Sequence, residues 1–597
     1  MTDSSTAGPP SLEGGPAPCA PREGAGGDAL LRAAIRHSAA RCALLCLLTT
    51  ATAGAGLLLP YVLGRTLDAL LTAHAAGVVD SFGAGAGHWL LISAALVAGV
   101  TLLDCLDGVL AGTTNARTTA WLRHRGVRHV LDAGPAVTAR FPAGDLVARL
   151  VGATGQAGPA PATVAALLAT LVTPLGAIVA LGLTDVRLAV AFLVGAPALV
   201  LLLRAFARAS SDCVAAYLRA QGEIATRLTE AIGGARTVAA AHTEDKEKDR
   251  ILQPLPELTR QGLRMWRVQG RASAGAVTLA PLLQIAVIAT AGVLVLQHQL
   301  SVGELLAASR YAVLATGVGA LVGDLSALVR TRTAGRRLGE VLDTPAPHYG
   351  TSRLPAQGGR LELRAVTVRH AGRTVLDRVD LTVPAGSTLA VVGSSGAGKS
   401  QLAVLAGRLA DPDHGAVLLD GIPLPELSRT ALRAAIGYAF ERPTLLGDTL
   451  ADTITLGAPA PSTDRLVAAA RAARADTFVR RLPQGYATPC ADVPLSGGEL
   501  QRLGLARAFA HGGRLLVLDD ALSSLDMITE REIAASLLRH APGTTRLVIA
   551  HRATTAARAD AVAWLDAGRI RAVGPHARLW EDPAYRAVFA GDAGEAG

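Results

Sequence analysis

Aromatic residues make up only 3% of this 597-residue chain, so there are few rings on which nucleobases could stack. Lysine occurs only at Lys246, Lys248 and Lys399, and the arginines that replace it elsewhere form no block. The net charge of +9 therefore does not mark a nucleic-acid binder; a membrane surface is the better anionic neighbour. Six cysteines show no CxxC pair and no metal-ligand spacing. They read as small hydrophobes in a reducing compartment or in lipid, not as a disulfide framework or a metal site. Charged residues are scarce as well, at 18%, against 50% hydrophobic, which is greasy for a soluble protein of this size. The first residues lack an apolar stretch of signal-peptide type; 1–27, rich in Gly, Pro and Ser, predict a disordered tail.

What is present is a series of apolar segments, at about 42–64, 88–111, 159–183, 186–208, 272–297 and 305–325. Each is close to the ~20 residues that cross the hydrocarbon core as a helix. Segments 2–3 and 4–5 are joined by long loops, and these carry the positive charge, from Arg117 to Arg149 and from Arg219 to Arg271. The short links offer little beyond Arg65 and Arg187. The positive-inside rule then predicts a multi-pass protein with both termini and the long loops in the cytoplasm. A six-helix, all-α transmembrane domain is expected over 28–332, followed by a Pro/Gly-bearing linker over 333–357. From 358 to 592 short β-rich runs alternate with helical stretches, which predicts an α/β domain.

Within that domain the strand "LAVV" leads into "GSSGAGKS" and then into helical "QLAVLAGRLA". This strand, glycine-rich loop and helix form the context in which GxxxxGKS cradles phosphates, which makes it a P-loop NTPase domain. Gly393, Ser394, Ser395, Gly396, Ala397, Gly398, Lys399, Ser400 and Gln401 are the candidate nucleotide-binding residues. Lys399 would place a compact charge on the outer phosphates and Ser400 a hydroxyl on Mg²⁺. "RLLVLDDALSSLD" sets Asp519 and Asp520 side by side at the end of an apolar strand. Like charges there resist desolvation unless a cation joins them, and Asp519 is placed to hold Mg²⁺ through water. "LSGGELQRLGLARAFA" opens a helix at Ser496, Gly497 and Gly498, another arrangement of backbone amides suited to phosphate. "LVIAHR" puts His551 just beyond a strand end, within reach of a γ-phosphate.

Phosphate loop, LSGG helix, "LLVLDD", "SSLD" and "VIAH", in this order, resemble the nucleotide-binding domain of an ATP-binding cassette (ABC) transporter. With six spans in front, the chain resembles a half-transporter of the exporter type. The resemblance implies ATP and Mg²⁺ as cofactors and an ATP-hydrolysing translocase that works with a second half-transporter. Each ATP would lie between the phosphate loop of one chain and the LSGG segment of the other. It further implies that loop ends near 121–131 and 236–245 couple the membrane domain to the nucleotide domain. The cargo (small molecule, lipid or peptide) and the direction stay open, and a siderophore-like importer of the same architecture is an alternative. A non-transporting ATPase acting on ribosomes or DNA is disfavoured by the spans. The Ala/Gly/Arg-rich usage fits a GC-rich bacterium and hence the plasma membrane.

Several positions depart from the family's pattern. Asp520 stands where a catalytic glutamate is usual, and its carboxylate is one methylene short. Glu441 in "IGYAFERP" aligns with the glutamine of the Q-loop, where it could ligate Mg²⁺ but loses the amide donor. His370 aligns with an adenine-stacking tyrosine. "TPCADVP" replaces an acidic, glycine-containing segment before LSGG. Because the LSGG segment is intact, a heterodimer with one degenerate site is expected, with a weakly hydrolysing homodimer as the alternative. Asp104 and Asp107, three residues apart in the second span, face water, pair with Arg310 or touch cargo.

Overall fold

The computed structural model describes residues 25–75, 84–317, 319–370, 372–458, 462–540 and 543–590. Most of the expected N-terminal tail and the last residues of the α/β domain lie outside the described residues. The chain divides into two compact units, one made of Met1–Val130 with Phe141–Thr344, the other of Leu131–Arg140 with Pro345–Gly597.

The first unit is entirely helical. A short helix, Ala25–His37, buries Leu30, Leu31 and Ala34. Long helices follow at Ala39–Ala75, Ala84–Ala133, Ala160–Thr184, Val186–Gly233 and Leu255–Leu296. Local chemistry sets their ends. Asp185 is extended at φ −159°, breaks the helix before it, and caps the next by accepting from the Arg187 backbone N–H at 2.8 Å. Ser301 opens Val302–Ala315 through a capping box with Glu304. Asp68, from Ala39–Ala75, accepts from Ser301 Oγ at 2.6 Å and from Gly303 N–H at 2.7 Å. These two helices meet backbone to backbone there, since a Cβ on Gly303 would collide with the Gly64 carbonyl oxygen.

Four described helical stretches are long and apolar enough to cross a membrane: Ala39–His74, Gly87–Ala133, Ala143–Thr184 and Val277–Leu296. Val186–Leu202 is a shorter apolar helix. The sixth segment, expected as one span over 305–325, is instead broken. Val302–Ala315 ends at Thr316 and Gly317, and the chain resumes as Gly319–Leu342. That last helix also runs ten residues past the expected start of the linker, because "RTRTAGRRLGEVL" is amphipathic and buries Ala334, Leu338 and Val341. Among the described residues no ion pair joins Asp104 or Asp107 to Arg310, and Asp107 Oδ1 is buried without a hydrogen-bond partner.

The second unit is built on two sheets. β1 (Leu361–His370), β2 (Arg373–Val383), β4 (His414–Leu419) and β5 (Ile422–Pro423) form an antiparallel sheet in the order β2-β1-β4-β5. β3 (Thr388–Val392), β6 (Ile436–Ala439), β7 (Leu515–Leu518), β8 (Thr545–Ile549), β9 (Ala561–Asp566) and β10 (Arg569–Gly574) form the second, in the order β10-β9-β3-β8-β7-β6. Its neighbours from β9 to β6 run parallel. β7 and β8 are buried at every residue, as expected of parallel strands covered on both faces. The segment Leu131–Arg140 belongs to this unit, where Asp132 accepts from Arg429 Nη1 at 2.9 Å. The loop end near 121–131, expected as a coupling element, falls almost wholly in the helical unit. Residues 121–131 continue the helix Ala84–Ala133, which stops only where Gly134 takes φ +56°.

Candidate nucleotide site

Three adjacent parallel strands bring the candidate residues to one edge. β3 pairs with β8 at Val391 and Ile549, so two residues on, Gly393 and His551 leave the sheet at the same level. β8 pairs with β7 at Val548 and Leu518, which sets Asp519 and Asp520 beside Ile549 and Ala550. The carboxyl ends of open parallel strands are where α/β sheets bind ligands, since loops and helix N-termini converge there.

The phosphate loop turns on its glycines. Gly396 and Gly398 take φ +79° and +102°, and a Cβ on Gly393 would strike the Leu565 carbonyl oxygen. Lys399 starts the helix Lys399–Ala406 and is 7% exposed, with Nζ donating to the carbonyls of Gly393 at 2.8 Å and Ser394 at 3.0 Å. The ammonium is therefore held over the loop that it serves. Ser394, Ser395 and Ser400 are exposed, and Gln401 is half-buried.

The two carboxylates are not equivalent. Asp519 extends the β6–β7 ladder, its N–H donating to the Ala439 carbonyl at 2.9 Å. Its Oδ2 accepts from Tyr438 Oη at 2.9 Å, while Oδ1 is buried with no hydrogen-bond partner. Burial pushes its carboxyl above the ordinary range, against the pull of Tyr438 and Ser400. Asp520 sits in the left-handed region at φ +50°, which aspartate tolerates better than most residues. Its Oδ2 lies 3.8 Å from His551 Nε2. Burial pushes Asp520 up too, with His551 opposing and Glu441 and Asp519 adding to the shift. Glu441 is exposed beside Arg442, at 3.5 Å, yet its charge reaches both aspartates. A carboxylate with one oxygen lacking a hydrogen-bond partner, a serine side chain near enough to stabilise its charge and two more acids nearby suits a hard divalent cation.

Ser496 caps the 15-residue helix Gly497–His511 through a capping box with Glu499. The Ser496 N–H and hydroxyl hold the Glu499 carboxyl below its usual range. Gly497 is exposed and Gly498 half-buried at this helix start. His370 is exposed at the end of β1, in the other sheet.

Family models match accordingly: the ABC transporter transmembrane region over residues 42–317, and the ABC transporter domain over 376–523. The chain is 51% identical over 547 residues to the ABC transporter ATP-binding protein RamA of Streptomyces coelicolor, covering 92% of this chain and 84% of the relative. The chain belongs to the ABC transporters. It is also 35% identical to an ATP-dependent lipid A-core flippase of Aromatoleum aromaticum, over 60% of this chain and 61% of the flippase. A bacterial Atm1-family ABC exporter solved with ATP bound superimposes with a TM-score of 0.79 at 25% identity, over 94% of this chain and 99% of that one. The transporter thus has the half-exporter architecture, with a helical membrane domain fused to an ATP-hydrolysing cassette.

Three residues that the motifs did not flag tie this site together. Tyr438, on β6, holds Asp519. Gln501, 3% exposed, donates to the Glu441 carbonyl at 3.1 Å and to Ser523 Oγ at 3.2 Å, and accepts from Ser524 N–H at 3.0 Å. It locks the LSGG helix to the segments after both Asp520 and β6. Glu530, 7% exposed, accepts from Arg552 Nη1 at 2.5 Å and from the Thr555 hydroxyl, and so fixes the turn that follows His551. A buried acid or amide flanked by family motifs was the available signal.

Proposed function

We propose that this chain is one half of a heterodimeric exporter of the plasma membrane, whose own phosphate loop holds Mg·ATP and turns it over slowly. ABC exporters work as dimers in a membrane, so each nucleotide domain contributes different parts to two sites. The observation that carries the reading is Asp520 at the end of β7, 3.8 Å from His551, in place of a longer carboxylate. A general base set back by one methylene loses alignment with the attacking water, and a misplacement of about 1 Å can lower the rate ~10²-fold. Glu441 in place of an amide adds charge to the same site. Lys399, Ser400 and the surrounding loop would hold the phosphates, Asp519, Ser400 and Glu441 would hold Mg²⁺, and His370 would meet the adenine. Mg²⁺ supplies charge neutralisation on the phosphoryl oxygens when bound. Ser496, Gly497 and Gly498 would complete the partner's site, which carries the turnover. Relatives that include a lipid A-core flippase and a multidrug efflux protein favour an amphipathic organic cargo.

The test is ATPase activity of the full chain alone in lipid nanodiscs, before and after Asp520→Glu. Slow wild-type turnover that rises about tenfold or more in the variant is expected. Brisk wild-type turnover without a partner would overturn the heterodimer.

A further inference from the structure

Tyr438 lies 81 residues before Asp519 in the chain, yet its hydroxyl donates to Asp519 Oδ2 at 2.9 Å. The ring has two close neighbours. On one side is the end of the phosphate-loop helix, where a Cβ on Gly407 would come within 2.7 Å of Tyr438 Cδ2. On the other is Phe440, with ring centroids 4.3 Å apart. The tyrosine therefore packs against the end of the helix that begins at Lys399 while its hydroxyl reaches the residue that follows β7. With Oδ2 engaged, Oδ1 is the oxygen left without a partner, and it is buried.

We infer that Tyr438 is a positioning residue for the divalent cation: by occupying Oδ2 it sets the plane of the Asp519 carboxylate and presents Oδ1 alone to the metal's coordination shell. A buried carboxylate with both oxygens free could rotate, and would have to be ordered by the cation itself. One fixed hydrogen bond removes that freedom before binding. Partners that orient a metal ligand in this way typically change metal affinity by about 10–100-fold when removed. The same hydrogen bond ties strand β6, which continues into Phe440 and Glu441, to the Asp519 carboxylate. The inference rests on the proposal that Mg²⁺ binds at Asp519, and the experiment separates the two.

The full chain in nanodiscs is titrated with TNP-ATP, first in EDTA and then at increasing Mg²⁺, and Mn²⁺ binding is followed by electron paramagnetic resonance in the presence of ATP. Wild type, Tyr438→Phe and Phe440→Leu are compared. Tyr438→Phe keeps the ring and removes only the donor. The expected result is about a tenfold increase in the Mg²⁺ and Mn²⁺ concentrations needed for half-saturation. TNP-ATP affinity in EDTA should be unchanged. Phe440→Leu, which alters packing but not the hydroxyl, should leave half-saturation within about twofold of wild type. Metal dependence in wild type with an unaltered Tyr438→Phe would overturn the positioning role. An equal shift in Phe440→Leu would overturn it too, by showing that packing and not the hydrogen bond matters. No metal dependence in wild type would overturn the magnesium site itself, and the inference with it.

Discussion

The two phosphate-facing parts of the nucleotide domain differ in how closely they resemble the family's pattern. The edge formed by β3, β8, β7 and β6 carries its phosphate loop and Lys399 beside Asp520 and Glu441, which the resemblance aligns with a longer carboxylate and a neutral amide. The start of the LSGG helix keeps Ser496, Gly497 and Gly498, closed by a complete capping box. In a dimer the two parts serve different ATP molecules, so with the unlike partner we propose one part can change while the other is kept.

The largest expected effect sharpens that contrast. In the chain reconstituted with its partner, Gly498→Asp places a carboxylate at a helix start that should receive phosphate, and lowers turnover by about 10²-fold or more. Lys399→Ala in the same pair should weaken nucleotide retention at this chain's own loop by about tenfold to a hundredfold. It should lower steady-state turnover far less than Gly498→Asp does. Similar losses of turnover from both variants, measured as phosphate release, would break the comparison.

A smaller effect tests how the two parts are joined. Gln501 is buried and bonds the Glu441 carbonyl, Ser523 and the Ser524 N–H at once. Gln501→Leu preserves bulk but strands these groups, at a cost of about 2 kcal/mol in folding stability. The melting temperature of the purified chain should drop by several degrees, and the metal dependence of nucleotide binding should shift through the displaced Glu441. A melting curve within about one degree of wild type would show that water replaces the amide.

These joints were the part the sequence did not display. The phosphate loop, the aspartates, the LSGG helix and His551 are each written in consecutive residues, since a turn, a cap or a strand end depends on near neighbours. Tyr438 with Asp519, Gln501 with Glu441, and Glu530 with Arg552 are pairs separated by tens of residues, brought together only by the strand order of the sheet. The membrane domain divides in the same way. Apolar length revealed the long helices, while the break at Thr316–Gly317 lay inside a segment whose hydropathy runs on without interruption. Residues 121–131, expected at a loop end, lie inside a helix because "AWLRHRGVRHVLDA" stays helical up to Gly134.

The smallest effect concerns the support beneath the LSGG helix. Arg502, on that helix, donates to the Arg474 carbonyl at 3.0 Å and lies over Phe478, with 4.8 Å to the ring centroid. The turn carrying Phe478 is pinned by Asp476, which accepts from Tyr486 at 2.6 Å, Arg480 at 2.7 Å and Arg471 at 3.3 Å. Burial alone would push the Asp476 carboxyl up, but these donors outweigh it and hold the group below the ordinary carboxylate range. A folded-state pKa below the unfolded value of about 3.9 stabilises the protein fully above that value, and the gain fades as pH falls through the folded one. Asp476→Asn removes the titrating group, so the melting temperature of the variant should fall less steeply than wild type between about pH 5 and pH 3. At neutral pH the loss should stay below about 1 kcal/mol, because the two arginines are largely exposed. Nucleotide retention at Lys399 should be unaffected, since Asp476 supports the LSGG helix, which under the proposal serves the partner's site. Parallel acid slopes for variant and wild type would show that Asp476 is not what holds this support at low pH.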